Sequence, residues 1–165
     1  MRKWMYLLMV LIACVMQLKA QSVSYTYKPF AEEGCAVSYT PVIVENEACI
    51  VVSVQSDRLV FSDNPTMMVR FFNTDQILQL EGKKLNITSS NGGILIGNVL
   101  VPYTDMKAMA QFKITEAQIE LFKNGVEKIR LSTFPIVHER VFKSDKIGMP
   151  LFQNFQVAKD KAKNF

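Results

Sequence analysis

The chain holds one histidine, His138, within Val137-His138-Glu139-Arg140. A serine hydrolase would use it as the base that takes the nucleophile's proton. The Gly-x-Ser-x-Gly elbow that presents such a serine does not occur in the sequence. His138 is therefore expected to be a partly exposed strand residue sharing a face with Arg140. Cys35 or Cys49 could pair with it as a thiolate, but neither has a recognisable context, and a bridge between them would consume both. Met106-Lys107-Ala108-Met109 has the spacing of soft copper(I) sites, and Met67-Met68 could add ligands. Core filling is the favoured account of these methionines.

Paired carboxylates would suit a glycosidase. Glu32, Glu33, Glu45 and Glu47 lie in the irregular N-terminal part, and Asp105 lies in a loop after Tyr103; loop acids of this kind are usually solubilising. Asn91-Gly92-Gly93 is no phosphate loop, because the lysine and the following helix are missing. Asn86-Ile87-Thr88 matches a glycosylation sequon, which matters only in a eukaryotic host. No catalytic residue, metal ligand or cofactor site is assigned from the sequence.

Charge and hydropathy place the chain before they say what it does. Arg2 and Lys3 precede an unbroken apolar run from Trp4 to Met16, and Ala20 follows as a small residue. This order is that of a secretory signal peptide, so residues 1–20 are expected to be removed and the working chain to be 21–165. The run is too short to cross a bilayer comfortably. Leu11-Ile12-Ala13-Cys14 also has the form of a lipobox, and membrane attachment is expected only if Cys14 carries lipid. The whole chain has a formal charge of +4, but Arg2, Lys3 and Lys19 belong to the leader, which holds no acid. The remainder carries 16 cations against 15 acids. That balance gives no ground for nucleic-acid binding, which needs a clustered basic face. An oxidising compartment permits a bridge between Cys35 and Cys49, worth about 3 kcal/mol, with two separate buried thiols as the alternative. The bridge is the expected state, since exported domains seldom keep exactly two free thiols.

The elements that would carry these residues are mostly strands. About 145 residues suffice for one domain with its own core. Ile50–Val54, Arg58–Phe61 and Thr66–Phe72 read as strands, the last two separated by the turn residues Ser62-Asp63-Asn64-Pro65. Ile77–Leu80 and Leu85–Thr88 flank Glu81-Gly82-Lys83-Lys84 as a hairpin. Asn91-Gly92-Gly93 reads as a turn into Ile94–Val101, a strand apolar on both faces and so placed mid-fold. Ala110, Phe112 and Ile114 alternate with Gln111 and Lys113. Thr115 and Gln118 then form a capping box, with Ile114 and Ile119 at the staple positions, which predicts a helix over 116–124 closed by Gly125. Ile129 and Leu131 alternate with Lys128 and Arg130, and Ile136–Phe142 follows as a strand. Pro150 opens a final helix with Leu151, Phe155, Ala158 and Ala162 on one side. The sum is a mainly β, β-rich α+β domain, an antiparallel sandwich first and a barrel-like sheet second.

The leader's end, Leu18-Lys19-Ala20-Gln21, resembles those of small exported proteins of Bacteroidales-type bacteria. The stretch from Phe112-Lys113-Ile114-Thr115 to Gly125-Val126-Glu127-Lys128-Ile129-Arg130 resembles a segment of such proteins too. The resemblance implies a Gram-negative envelope address, periplasmic or surface-facing, and transfers no catalytic or binding residue. The expected function is a non-enzymatic binding or assembly module of the envelope, meeting a protein or a glycan. Its candidate contact surface is the aromatic arm of Tyr25, Tyr27, Phe30 and Tyr39; the alternative for these rings is that they cover the sheet. The alternative function is a small envelope hydrolase using His138.

Overall fold

The structure, a computed structural model, describes residues 22–27, 35–44, 47–56, 58–85, 88–96 and 99–163, with the backbone alone at 27, 92–96, 99–106 and 163. Strands β1 (Val23–Tyr27), β2 (Cys35–Val44) and β3 (Glu47–Ser56) are followed by β4 (Val60–Phe61), β5 (Thr66–Phe71) and β6 (Ile77–Lys84). Next come β7 (Thr88–Ile96), β8 (Val99–Lys113), helix α1 (Glu116–Leu121) with a 3-10 turn over Phe122–Asn124, and β9 (Val126–Leu131). β10 (Thr133–Phe134), β11 (His138–Val141) and helix α2 (Gly148–Lys163) complete the chain.

Nine strands form one antiparallel sheet in the order β1-β2-β3-β8-β6-β5-β9-β11, with β7 beside β8; β4 and β10 pair separately. The sheet curls into a half-barrel, the barrel-like alternative rather than the sandwich. The curl follows from strict alternation. Val37, Tyr39, Ile50, Val52, Val54, Ala108, Ala110 and Phe112 are fully or almost fully buried, while their neighbours along each strand, the buried Cys49 apart, face outward or sit half-buried. With side chains alternating at period two, the register Val37↔Val54↔Ala108 and Tyr39↔Val52↔Ala110 stacks these positions on one concave face.

The predicted α1 junction is present in detail. The Thr115 hydroxyl accepts from the N–H of Gln118, and the Gln118 side chain accepts from the N–H of Thr115. Ile119 and Phe122 are buried beneath it. Gly125 closes the turn at φ 73°, which a side chain would resist, although its ψ of 152° is extended rather than helical.

The final helix begins two residues before Pro150, because Asp145 caps it. Asp145 Oδ1 accepts from the N–H groups of Ile147 and Gly148 at 3.1 and 2.7 Å, and from that of Val126 at 3.0 Å. Oδ2 accepts from Met149 at 2.8 Å. Partial burial pushes this carboxyl up, but the four backbone donors outweigh that and hold it below the usual carboxylate range. One side chain thus ties the start of α2 to the start of β9, and Leu151 and Phe155 enter the core fully buried. Asp145→Ala is expected to cost about 2 kcal/mol in denaturant unfolding, with Asp145→Asn recovering part of it. An Ala variant as stable as the parent would remove the cap from the account.

Five other expectations are corrected. Glu81-Gly82-Lys83-Lys84 is not a hairpin turn but the end of the continuous strand β6. Asn91-Gly92-Gly93 lies inside β7, opposite Thr104, Tyr103 and Pro102. Ile94–Val101 is divided between β7 and β8, and Asp105 lies in β8, opposite Ser90, rather than in a loop. The predicted bridge is absent: Cys35 and Cys49 are separate, buried thiols. The register puts Cys49 opposite Val42, seven residues along β2 from Cys35 and on the other face of the sheet. That is roughly 23 Å of strand, against a Cα separation of about 6 Å in a disulfide.

Candidate functional site

β1 and β11 are the two ends of the curled sheet, so the topology brings Tyr25 and His138, 113 residues apart in sequence, to the same gap. The Tyr25 hydroxyl lies 2.7 Å from His138 Nε2 and 2.9 Å from the Tyr39 hydroxyl. The Tyr25 and His138 rings stack with centroids 5.8 Å apart, and Phe142 meets Tyr25 edge-on at 5.3 Å. His138 is not the partly exposed residue that was expected: it is fully buried, and its backbone N–H donates to the Thr133 hydroxyl. Its core-side placement follows from register, since it pairs with the buried Leu131 of β9. Desolvation, with the Arg140 charge adding to it, lowers its pKa from 6.5 to about 4, so the imidazole is neutral at physiological pH. Burial pushes the Tyr39 hydroxyl well above its ordinary value, with Tyr25 and the Cys35 thiol contributing. The cluster closes the half-barrel through side chains where no backbone ladder joins the described residues of β1 and β11.

Two rings of the expected aromatic arm, Tyr25 and Tyr39, are placed in the same way. β1 pairs along its length with β2, and Tyr25 and Tyr39 belong to this inward cluster. Phe30 lies outside the described residues.

The β7–β8 pair departs from the single buried strand that the sequence predicts over 94–101. β8 pairs with β3 only from Met106 onward and with β6 only from Ala110, whereas it pairs with β7 from Val99 to Lys107. Positions 99–105 and 90–96 therefore form a two-stranded ribbon that runs about 20 Å past the last β3 pair, Ser56↔Met106. Within the described residues, its outer edges pair with no other strand. By register, positions Ile94, Ile96, Val99 and Val101 share one face of the ribbon, and Leu95 and Leu100 share the other. The two-sided apolar pattern fitted a buried central strand; the signal that pointed elsewhere was the uncharged run from Leu85 to Thr104.

A groove of about 850 Å³ lies between the β2–β3 hairpin and the C-terminal half of α2. Its charges are paired in place, Lys113 with Glu47 at 2.6 Å and Lys159 with Glu116, so it presents no fixed excess of either sign. Glu47, one of the acids considered for glycosidase chemistry, is thus engaged with a lysine; Glu32, Glu33 and Glu45 lie outside the described residues.

The methionine motif does not converge. Positions 106 and 109 are three apart in β8 and so fall on opposite faces, and Met67 is buried while its neighbour Met68 faces the other way. Cys35 borders the Tyr39 end of the polar cluster, whereas Cys49 accepts a hydrogen bond from Gln111 Nε2 at 3.0 Å on the opposite face. The leader 1–20, with Cys14, and Asn86 of the sequon lie outside the described residues. Among those described, no three His, Cys, Asp or Glu side chains gather as a metal site, and no helix is long and apolar enough to cross a membrane. No family model, curated protein or solved structure matches the chain.

Proposed function

We propose that this is an exported envelope protein, a non-enzymatic binding or assembly module whose contact element is the β7–β8 ribbon. The observation that carries the reading is the ribbon itself. It combines strands whose outer edges pair with no other strand among the described residues and an uncharged, aliphatic-rich sequence. Unpaired strand edges offer rows of N–H and C=O groups, which makes them templates for a partner's strand. The half-barrel behind it is the rigid base. The leader pattern of residues 1–20 and the resemblance to small exported proteins of Bacteroidales-type bacteria support the envelope address.

The test is a photo-crosslinking residue placed at Leu95 or Leu100 in the native host. An adduct of defined mass that is missing when the same residue replaces Val137, exposed at the far end of the sheet, is the expected result. Equal labelling at both places, or none from the ribbon, would abandon the contact element. The mass of the uncrosslinked protein also distinguishes cleavage after Ala20 from lipid at Cys14.

A hydrolase using His138 is the second reading, and it draws on the Cys35 thiol bordering the cluster that holds His138. It requires Cys35 to be alkylated by iodoacetamide in the folded protein and this to cease in His138→Gln. Protection of Cys35 until global unfolding would end it.

A further inference from the structure

We infer that the occupant of the ribbon is a second copy of this chain, joined through the outer edge of β7; this rests on the binding-module reading above. Pro102 decides which edge is open. Proline has no N–H, so Pro102 has none to donate to β7 at its register position opposite Gly93. In an antiparallel ladder, facing residues exchange both backbone bonds or neither. Gly93 therefore turns its N–H and C=O away from β8, and so does Leu95, two residues further along. The same rule places the missing donor of Pro102 on the outer edge of β8, which blunts that edge. β7 has no proline and no charge from Thr88 to Ile96. It is the ribbon strand able to accept another.

Charge selects the partner. Lys83, Lys84 and Lys107 stand at the base of the ribbon, and the next charge beyond Lys84 is Asp105. Two copies meeting antiparallel about a two-fold axis would set each uncharged tip beside the other copy's base. That arrangement keeps the two lysine clusters at opposite ends. Such an interface is isologous: one patch without charge meets itself, and each β7 supplies the hydrogen bonds the other lacks. A bilayer fits less well. Hydrocarbon would cover the aliphatic tip but leave the outward N–H and C=O groups of both strands unsatisfied, which a lipid phase penalises heavily.

Sedimentation equilibrium of the protein purified from its host is expected to give a dimer. Leu95→Pro removes an N–H that faces the outer edge and leaves the β7–β8 bonds in place. It should weaken the dimer roughly 100-fold or more with the far-ultraviolet circular dichroism unchanged. Ile94→Lys with Ile96→Lys, and Ile94→Glu with Ile96→Glu, should each be monomeric alone and form a mixed dimer together. A monomer up to about 1 mM overturns the inference, as does a dimer that Leu95→Pro and both charge variants leave intact. A monomer that cosediments with phosphatidylglycerol vesicles overturns it in favour of lipid. A ribbon crosslink to a different protein overturns the second copy while leaving the binding-module reading standing.

Discussion

Acidification from about pH 7.5 to about 4 is expected to remove about 3 kcal/mol of stability through His138 alone. The unfolded chain takes up a proton on this residue near 6.5, whereas the folded protein resists until about 4. Between those values the unfolded state holds the extra proton. Stability is therefore complete above 6.5, falls as the pH drops, and has lost this contribution near 4. Desolvation is the main cause, because an imidazolium would sit fully buried against the Tyr25 ring, with the nearby Arg140 charge adding to the cost. The depressed carboxyls of Glu139, held by Lys128 and Arg130, and of Asp145 lose their contributions in a lower window, as the pH falls through and below about 4. Urea unfolding at a series of pH values separates the two. His138→Gln keeps a polar group within reach of the Tyr25 hydroxyl and does not titrate. It should be less stable at neutral pH, yet nearly flat from about pH 7 to about 5. Parallel curves for parent and variant would mean that the imidazole is already accommodated as a cation.

The same residue shows how far the sequence could be read. Strands were visible wherever one face is dry: Ile129 and Leu131 against Lys128 and Arg130, or Phe112 and Ile114 against Gln111 and Lys113. The α1 start was visible because its capping box is local, and Leu151 and Phe155 stood out by helical spacing. His138 was misplaced because period two says only that it alternates with Val137 and Glu139. Which face is dry depends on Leu131 of β9, and its partner Tyr25 comes from the opposite end of the chain. The ribbon was misread for a related reason. Residues apolar on both faces describe a strand that must be covered twice, and nothing local says whether the cover belongs to the same molecule. Glycines were the third source of error, since the same residue serves a turn and a crowded strand.

Gly82 is the sharpest case. It was expected in a turn, but it lies in β6 opposite Phe112, and its φ is not positive. A Cβ there would stand 2.6 and 2.7 Å from Cε1 and Cδ1 of Phe112 and 2.9 Å from the Gln111 carbonyl oxygen. The Phe112 ring cannot swing aside easily, because it is fully buried and packed edge-on against Phe61 at 6.4 Å. Gly82 is therefore glycine to make room for the ring, not to bend the chain. Gly82→Ala is expected to cost about 3 kcal/mol, and Phe112→Ala about 3–5 kcal/mol. The two explanations for the glycine separate in a double-mutant cycle with Phe112→Leu, which narrows the side chain at the point of contact. If space is the reason, Gly82→Ala should cost at least about 1 kcal/mol less in the Phe112→Leu background than in the parent, the remainder reflecting the fixed Gln111 oxygen. A backbone requirement would give the same penalty in both backgrounds. Zero coupling would therefore restore the turn and break β6 at Gly82, and with it the join that carries β6 onto β8 at the root of the ribbon.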